Sequence, residues 1–260
     1  MLFTSVVLIS QEILEASLFI SVLMVFSRIC LISRRWLYPA LCLGFLGALW
    51  YSLELDRVSE WFDYVGQEIV NASLQCAIYL LVLCFTALFV ARERIRLSGL
   101  LIALCMALIV AFAVVREGSE IIIYLSGFIK NRELLFPALV GSGIGAGIGL
   151  SVGALLFYLL VHLAPRWRQN SCLILLALLG ANMLSQASRG LMQADWLPSG
   201  QALWDSSFLL SERSIVGHIA YALVGYEATP SAVQVSCYLG GFALVVAAMF
   251  WGRSISLLMK

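Results

Sequence analysis

An all-α, polytopic membrane protein of about seven transmembrane helices is the fold class this sequence predicts, and three observations predict it. Of its 260 residues, 62% are hydrophobic and 12% are charged, whereas a soluble domain carries about 25% charged residues. The mean hydropathy is +0.98. The apolar residues also fall into seven runs, each near the length of about 20 that a membrane-crossing helix needs. These runs lie at roughly 2–27, 36–53, 68–91, 97–128, 136–163, 170–192 and 232–256, with 36–53 the shortest. One transmembrane domain over 1–260 is the simplest organisation, with an outside or re-entrant segment at 193–231.

The first run opens MLFTSVVLIS, without a positive flank, and carries Glu12 and Glu15. A cleaved signal peptide has the reverse arrangement, so the expectation is a mature transmembrane helix. Short connections set the orientation, because Lys and Arg accumulate on the cytoplasmic side. Arg28, Arg34, Arg35, Arg92, Arg94, Arg96, Arg166, Arg168, Arg253 and Lys260 fall on one side. Arg57, Lys130, Arg132, Arg189 and Arg213 fall on the other, ten against five. The N-terminus is then expected outside and the C-terminus in the cytoplasm, in a plasma (bacterial inner) membrane.

The outside connection after the second run is acidic. Asp56, Glu60 and Asp63 are spaced for one helical face, and Val58, Trp61, Phe62 and Val65 for another. An amphipathic interfacial helix is the plain expectation; a cation-collecting vestibule is the sharper one. In the fifth run Gly141, Gly145, Gly149 and Gly153 recur every four residues, with Gly143 and Gly147 as a second line. Such spacing lets another helix approach the backbone closely. The G-x-S-x-G match at Gly149–Gly153 lacks the strand–turn–helix context of a nucleophile elbow. Residues 208–226 are apolar but interrupted, which suits a re-entrant or surface-lying helix.

The seven cysteines form no C-x-x-C pair and read as small buried hydrophobes. His162 and His218 fall at different predicted depths, so a bis-His haem is not indicated. No nucleophile–base pair stands out, so an enzyme is not expected, and no charge pattern suggests nucleic acid. The chain is expected to hold no resident cofactor.

Chemistry concentrates in Gln11-Glu12-Ile13-Leu14-Glu15 and Arg116-Glu117-Gly118-Ser119-Glu120. Residues three apart on a helix lie about 60° apart around its axis, so each pair of carboxylates shares a face. The first pair is expected near mid-membrane and the second nearer the outer half. An acidic residue at a helix centre costs about 2.5–3.5 kcal/mol to insert. Intramembrane ionisable groups are therefore functional by default. With Arg116 the four glutamates leave a net charge of three negative. Carboxylates suit hard cations such as Mg, Ca, Mn and iron, and a crowded acid cluster also suits a proton relay. A structural cluster neutralised by protons or by Arg116 is the plain alternative. The two motifs stand in spans one and four, so two three-helix units of opposite orientation are expected, an inverted repeat followed by a last helix.

At these residues the chain resembles the iron permeases, comprising bacterial EfeU-like ferrous-iron permeases and fungal ferroxidase-coupled permeases. Their signature R-E-G-L-E in the first and fourth helices corresponds to QEILE at 11–15 and REGSE at 116–120. GHIAYALVGYEATPS at 217–231 resembles their segment before the last helix, and Glu68 matches an acidic residue opening the third. The resemblance implies transport of iron into the cytoplasm, with Glu12, Glu15, Glu117 and Glu120 as ligands along the path. Gln11, Glu68 and Arg116 would support them. It also implies an outside partner that handles the redox state of iron, a ferroxidase or a periplasmic iron-binding protein. Gln11 stands where the family has Arg, Ile13 where it has Gly, and Ser119 where it has Leu. These departures keep open a permease for another divalent cation such as Mn, or a proton-coupled carrier. The outside segment with Trp196, Trp204 and Tyr226 keeps open a non-transporting subunit that docks a periplasmic redox partner.

Overall fold

Apolar runs of this length can bury their backbone polar groups in lipid only as helices, and helices are what form. The computed structural model describes residues 1–95, 99–129, 132–211 and 214–258, so Arg96, Lys130, Arg213 and Lys260 lie outside the described residues. The side chains of 93–95, 132, 215 and 251–258, including Arg94, Arg132 and Arg253, are also outside the description. The long helices are α1 (Leu2–Ile29), α2 (Leu37–Leu53), α5 (Gly66–Ile95), α6 (Gly99–Ser126), α7 (Arg132–His162), α8 (Pro165–Gln193) and α10 (Ala232–Leu258). Short helices α3 (Leu55–Ser59), α4 (Trp61–Tyr64) and α9 (Ile215–Val224) lie in the connections. Among the described residues, seven helices are long and apolar enough to cross a membrane. The chain is an integral, all-α membrane protein.

Two helix pairs pack most extensively, α1 with α7 and α2 with α6. The α1–α7 pair runs parallel, because Gly141, Gly145, Gly149 and Gly153 meet Leu2, Val6, Ser10 and Ser17 in turn. A Cβ on Gly145 would lie 2.6 Å from the Val6 carbonyl oxygen, so only glycine permits this approach. The closeness brings Ser17 Oγ to donate to the Gly149 carbonyl at 3.1 Å and Ser21 Oγ to the Gly153 carbonyl at 2.7 Å. The α2–α6 pair repeats the device. Ala40, Gly44 and Ala48 make a buried small-residue stripe, and a Cβ on Gly44 would meet Val114 at 2.7 Å.

Span one pairs with span five, and span two with span four. Spans one and four cross antiparallel, as Ser5 meets the Tyr124 hydroxyl at 2.7 Å while Glu15 meets Arg116. Spans three and six also cross antiparallel, with Val82 against Gly180 and Glu68 near Gly190. This is the contact pattern of two three-helix units related by an in-plane two-fold. Helix α10 closes the bundle against α8 and α5, with the Tyr79 hydroxyl donating to the Gly241 carbonyl at 3.1 Å.

One end of the bundle collects Arg28, Arg34, Arg35, Arg92, Arg166 and Arg168. There Arg28 stacks 5.1 Å over Phe157 and Arg92 donates to Cys30 at 3.3 Å. Phe26, Phe85 and Phe89 pack beneath as an edge-to-face cluster, with Phe26–Phe89 centroids 4.7 Å apart.

The opposite end holds the two long connections. Residues 54–65 do not form the single amphipathic helix expected. Phe62, Asp63 and Tyr64 take positive φ values of 53°, 61° and 69°, which breaks the segment into two turns. Asp56, Glu60 and Asp63 therefore share no helical face. The segment before α10 does form a helix packed on the bundle. Helix α9, capped by Ser214 accepting from the Gly217 amide at 3.0 Å, packs on α1 and α8. It is fixed there by Asn182 Nδ2 donating to the Tyr221 carbonyl at 3.1 Å. His218 and Ile219 share a groove with Gln11 and Leu14, which puts α9 roughly 15 Å along α1 from its start at 1.5 Å per residue.

Candidate functional site

Where α1 and α6 cross, the two Glu-x-x-Glu pairs converge. Glu12, Glu15, Arg116 and Glu117 are 7%, 2%, 9% and 2% exposed, buried as deeply as the apolar core. Glu120 is half-buried at the rim, its side chain 30% exposed. Both pairs lie at one level rather than at two depths. Glu12 stands ten residues after the start of α1 and Glu117 nine before the end of α6, so antiparallel crossing brings them opposite each other.

Arg116 occupies the centre. Its Nη1 donates to Glu15 Oε2 at 3.1 Å and to Glu117 Oε1 at 2.5 Å, and its Nη2 lies 3.4 Å from Glu120 Oε1. The planar fork of a guanidinium suits this multiple pairing. The fourth carboxylate is held differently. Glu12 is buried in the same cluster but takes part in none of these arginine pairs. Within the cluster, three buried polar atoms find no hydrogen-bond partner: Glu12 Oε2, Glu117 Oε2 and Arg116 Nε. Unmet buried acceptors are costly and call for an explanation; two of these are oxygens of the kind that bind hard cations. Among the described residues, no group of three or more His, Cys, Asp or Glu side chains is arranged to hold a metal ion. The guanidinium instead pairs with three of the four glutamates.

Two amides complete the cluster, and the sequence reading missed both. Gln186 Nε2 donates to Glu15 Oε2 at 3.1 Å, and Gln75 Nε2 donates to Gln186 Oε1 at 2.9 Å. They come from spans six and three, which cross antiparallel beside the glutamates. The available signal was an amide in the interior of each apolar run. Gln186→Leu should leave Glu15 without this donor and Gln75 without its acceptor. The expected cost is about 2–3 kcal/mol, since hydrogen bonds to charged groups are worth about 1.5–3 kcal/mol. Thermal unfolding in detergent measures it, and an unchanged midpoint would show the amides are dispensable.

The cluster forms the floor of a polar cavity of about 310 Å³. Arg116, Glu120, Gln75 and Gln186 line its depth, and Glu68, Asn71, Arg189 and Tyr221 its walls. Glu68, expected as a supporting residue, is therefore in the vestibule. Arg189 is held by Glu227 at 3.2 Å, which in turn accepts from Gln234 at 2.6 Å. The cavity opens at the end opposite Arg28, Arg92 and Arg166, where α5 begins and α8 ends. Gln11 is not part of the cluster; it lines a separate, mostly apolar groove with Phe3, Val7 and Ile148. The cysteines are free. Comparison with protein-family profiles, with curated proteins and with solved structures returned no match.

Proposed function

We propose that this chain is an iron permease of the plasma (bacterial inner) membrane, with Glu12, Glu15, Glu117 and Glu120 lining the path. One observation carries the reading: carboxylates about a hundred residues apart in sequence meet in one buried cluster at the floor of a polar cavity. Four intramembrane glutamates are too expensive to keep for packing alone, and their oxygens suit a hard cation as cargo. Iron as that cargo comes from the resemblance of QEILE and REGSE to the permease signature. The cavity end faces outside and the arginine-rich end faces the cytoplasm, following the positive-inside rule. A ferroxidase or periplasmic iron-binding protein is then the partner expected at the cavity mouth.

A second reading, another divalent cation such as Mn, is favoured by Gln11. It replaces the signature arginine and lies outside the cluster, so the first motif contributes no fixed positive charge there.

The test is the purified chain alone in liposomes. Ferrous iron should enter and quench trapped calcein, and excess Mn should compete poorly. Equal competition would move the cargo to divalent cations at large. No flux of any metal by a folded preparation would remove the permease reading in favour of a docking subunit.

A further inference from the structure

The position of Arg116 raises a problem for any cation path through this cluster, and the cavity suggests its solution. The guanidinium takes up an oxygen from each of Glu15, Glu117 and Glu120, which are the groups a metal ion would need. It also lines the cavity, whereas Glu12, Glu15 and Glu117 are buried in the cluster without lining it. We propose that Arg116 is a tethered resident cation that an arriving divalent ion displaces: the ion takes its place among the carboxylates and the guanidinium turns out into the cavity. This rests on the permease reading and deepens it.

Three observations support the exchange. One oxygen each of Glu12 and Glu117 is buried in the same cluster without a hydrogen-bond partner, so an ion replacing the guanidinium there finds two oxygens that Arg116 leaves unused. The unpartnered Nε shows that the guanidinium is itself incompletely satisfied where it sits. The cavity has room for it. At about 30 Å³ per water, 310 Å³ corresponds to roughly ten waters, and the Glu68 carboxylate on its wall offers the displaced charge a partner. The cluster therefore keeps a positive charge in both states, and an ion that leaves is replaced by the arginine rather than by an uncompensated set of carboxylates.

The exchange predicts an effect opposite to that of a structural arginine. Removing a competitor tightens ion binding, whereas removing a scaffold loosens it. The experiment titrates Mn²⁺ into the full chain in lipid nanodiscs, with free Mn²⁺ read by electron paramagnetic resonance. Arg116→Gln should bind about tenfold tighter than wild type or more, because one unit of positive charge leaves a low-dielectric site. Arg116→Lys, a point charge without the fork, should fall in between. If Arg116→Gln does not fold, Arg116→Lys decides alone. Variants that bind no more tightly than wild type overturn the exchange while leaving the permease reading intact. A folded wild type that neither binds Mn²⁺ nor passes any metal in liposomes overturns both.

Discussion

On the permease proposal, Glu117→Ala should abolish iron uptake by cells while the protein stays in the membrane; this is the largest functional effect expected. Glu117 is buried at 2% exposure and pairs with Arg116 at the centre of the cluster, so its loss removes a carboxylate from the middle of the proposed path. Removing an outer partner of a metal site costs about 10–100-fold, and loss of a ligand itself should bring uptake to background. Alanine also leaves Arg116 short of a partner, so a structural collapse has to be separated from a lost ligand. Glu117→Gln does so, because an amide oxygen still accepts from the guanidinium but carries no charge for a cation. It should keep the thermal midpoint near wild type and still fail to transport. Glu12→Ala should fail as well, although it removes no Arg116 pairing in the structure. Undiminished uptake in both alanine variants would remove the permease reading.

The largest effect on stability is expected at an uncharged helix contact. Gly149→Val puts a branched side chain where a Cβ alone would sit 2.9 Å from the Leu14 amide nitrogen and the Ser10 carbonyl oxygen. Backbone atoms cannot move aside, so α7 must back away from α1 and surrender the Ser17 and Ser21 hydrogen bonds. Overpacking costs about 1–3 kcal/mol and occasionally more, and the two lost hydrogen bonds add about 1 kcal/mol each. Gly143→Val and Gly147→Val are the matched controls, since a Cβ at either meets nothing within 4 Å. Tryptophan-fluorescence melts in detergent should show Gly149→Val unfolding well below wild type and both controls close to it. Equal effects at all three positions would mean that helix propensity, not interhelical approach, sets the role of these glycines.

The two glycine lines mark how far the sequence could be read. The spacing of Gly141 to Gly153 announced a close helix contact, and the contact is there. The matching stripe on α2, Ala40, Gly44 and Ala48, was invisible because alanine is ordinary in any apolar run. The span count, both Glu-x-x-Glu pairs and the short packed helix before α10 were legible, since each is a local departure from uniform apolarity. The arrangement of the cluster was not. The sum of charges included Arg116 but could not tell that its guanidinium turns onto Glu15 across the helix crossing as well as onto its own neighbours. Gln75 and Gln186, 111 residues apart, read separately as isolated amides. The 54–65 segment failed for a different reason. Its spacing was helical, but left-handed backbone at Phe62, Asp63 and Tyr64 overrode it.

The α1–α7 pairing has a consequence for how the chain is made. Its serine–carbonyl bonds join residues 132 apart in sequence. During synthesis α1, with its two glutamates, is therefore complete long before the helix that covers its small-residue face exists. Arg116, which neutralises Glu15, also emerges about a hundred residues late. Contacts so distant along the chain are slow to form and leave early segments exposed meanwhile. A span carrying two glutamates must wait, in the insertion machinery or at its edge, until span five arrives. Truncations ending before α7 should accordingly be held there or degraded, because nothing translated earlier offers α1 its main partner.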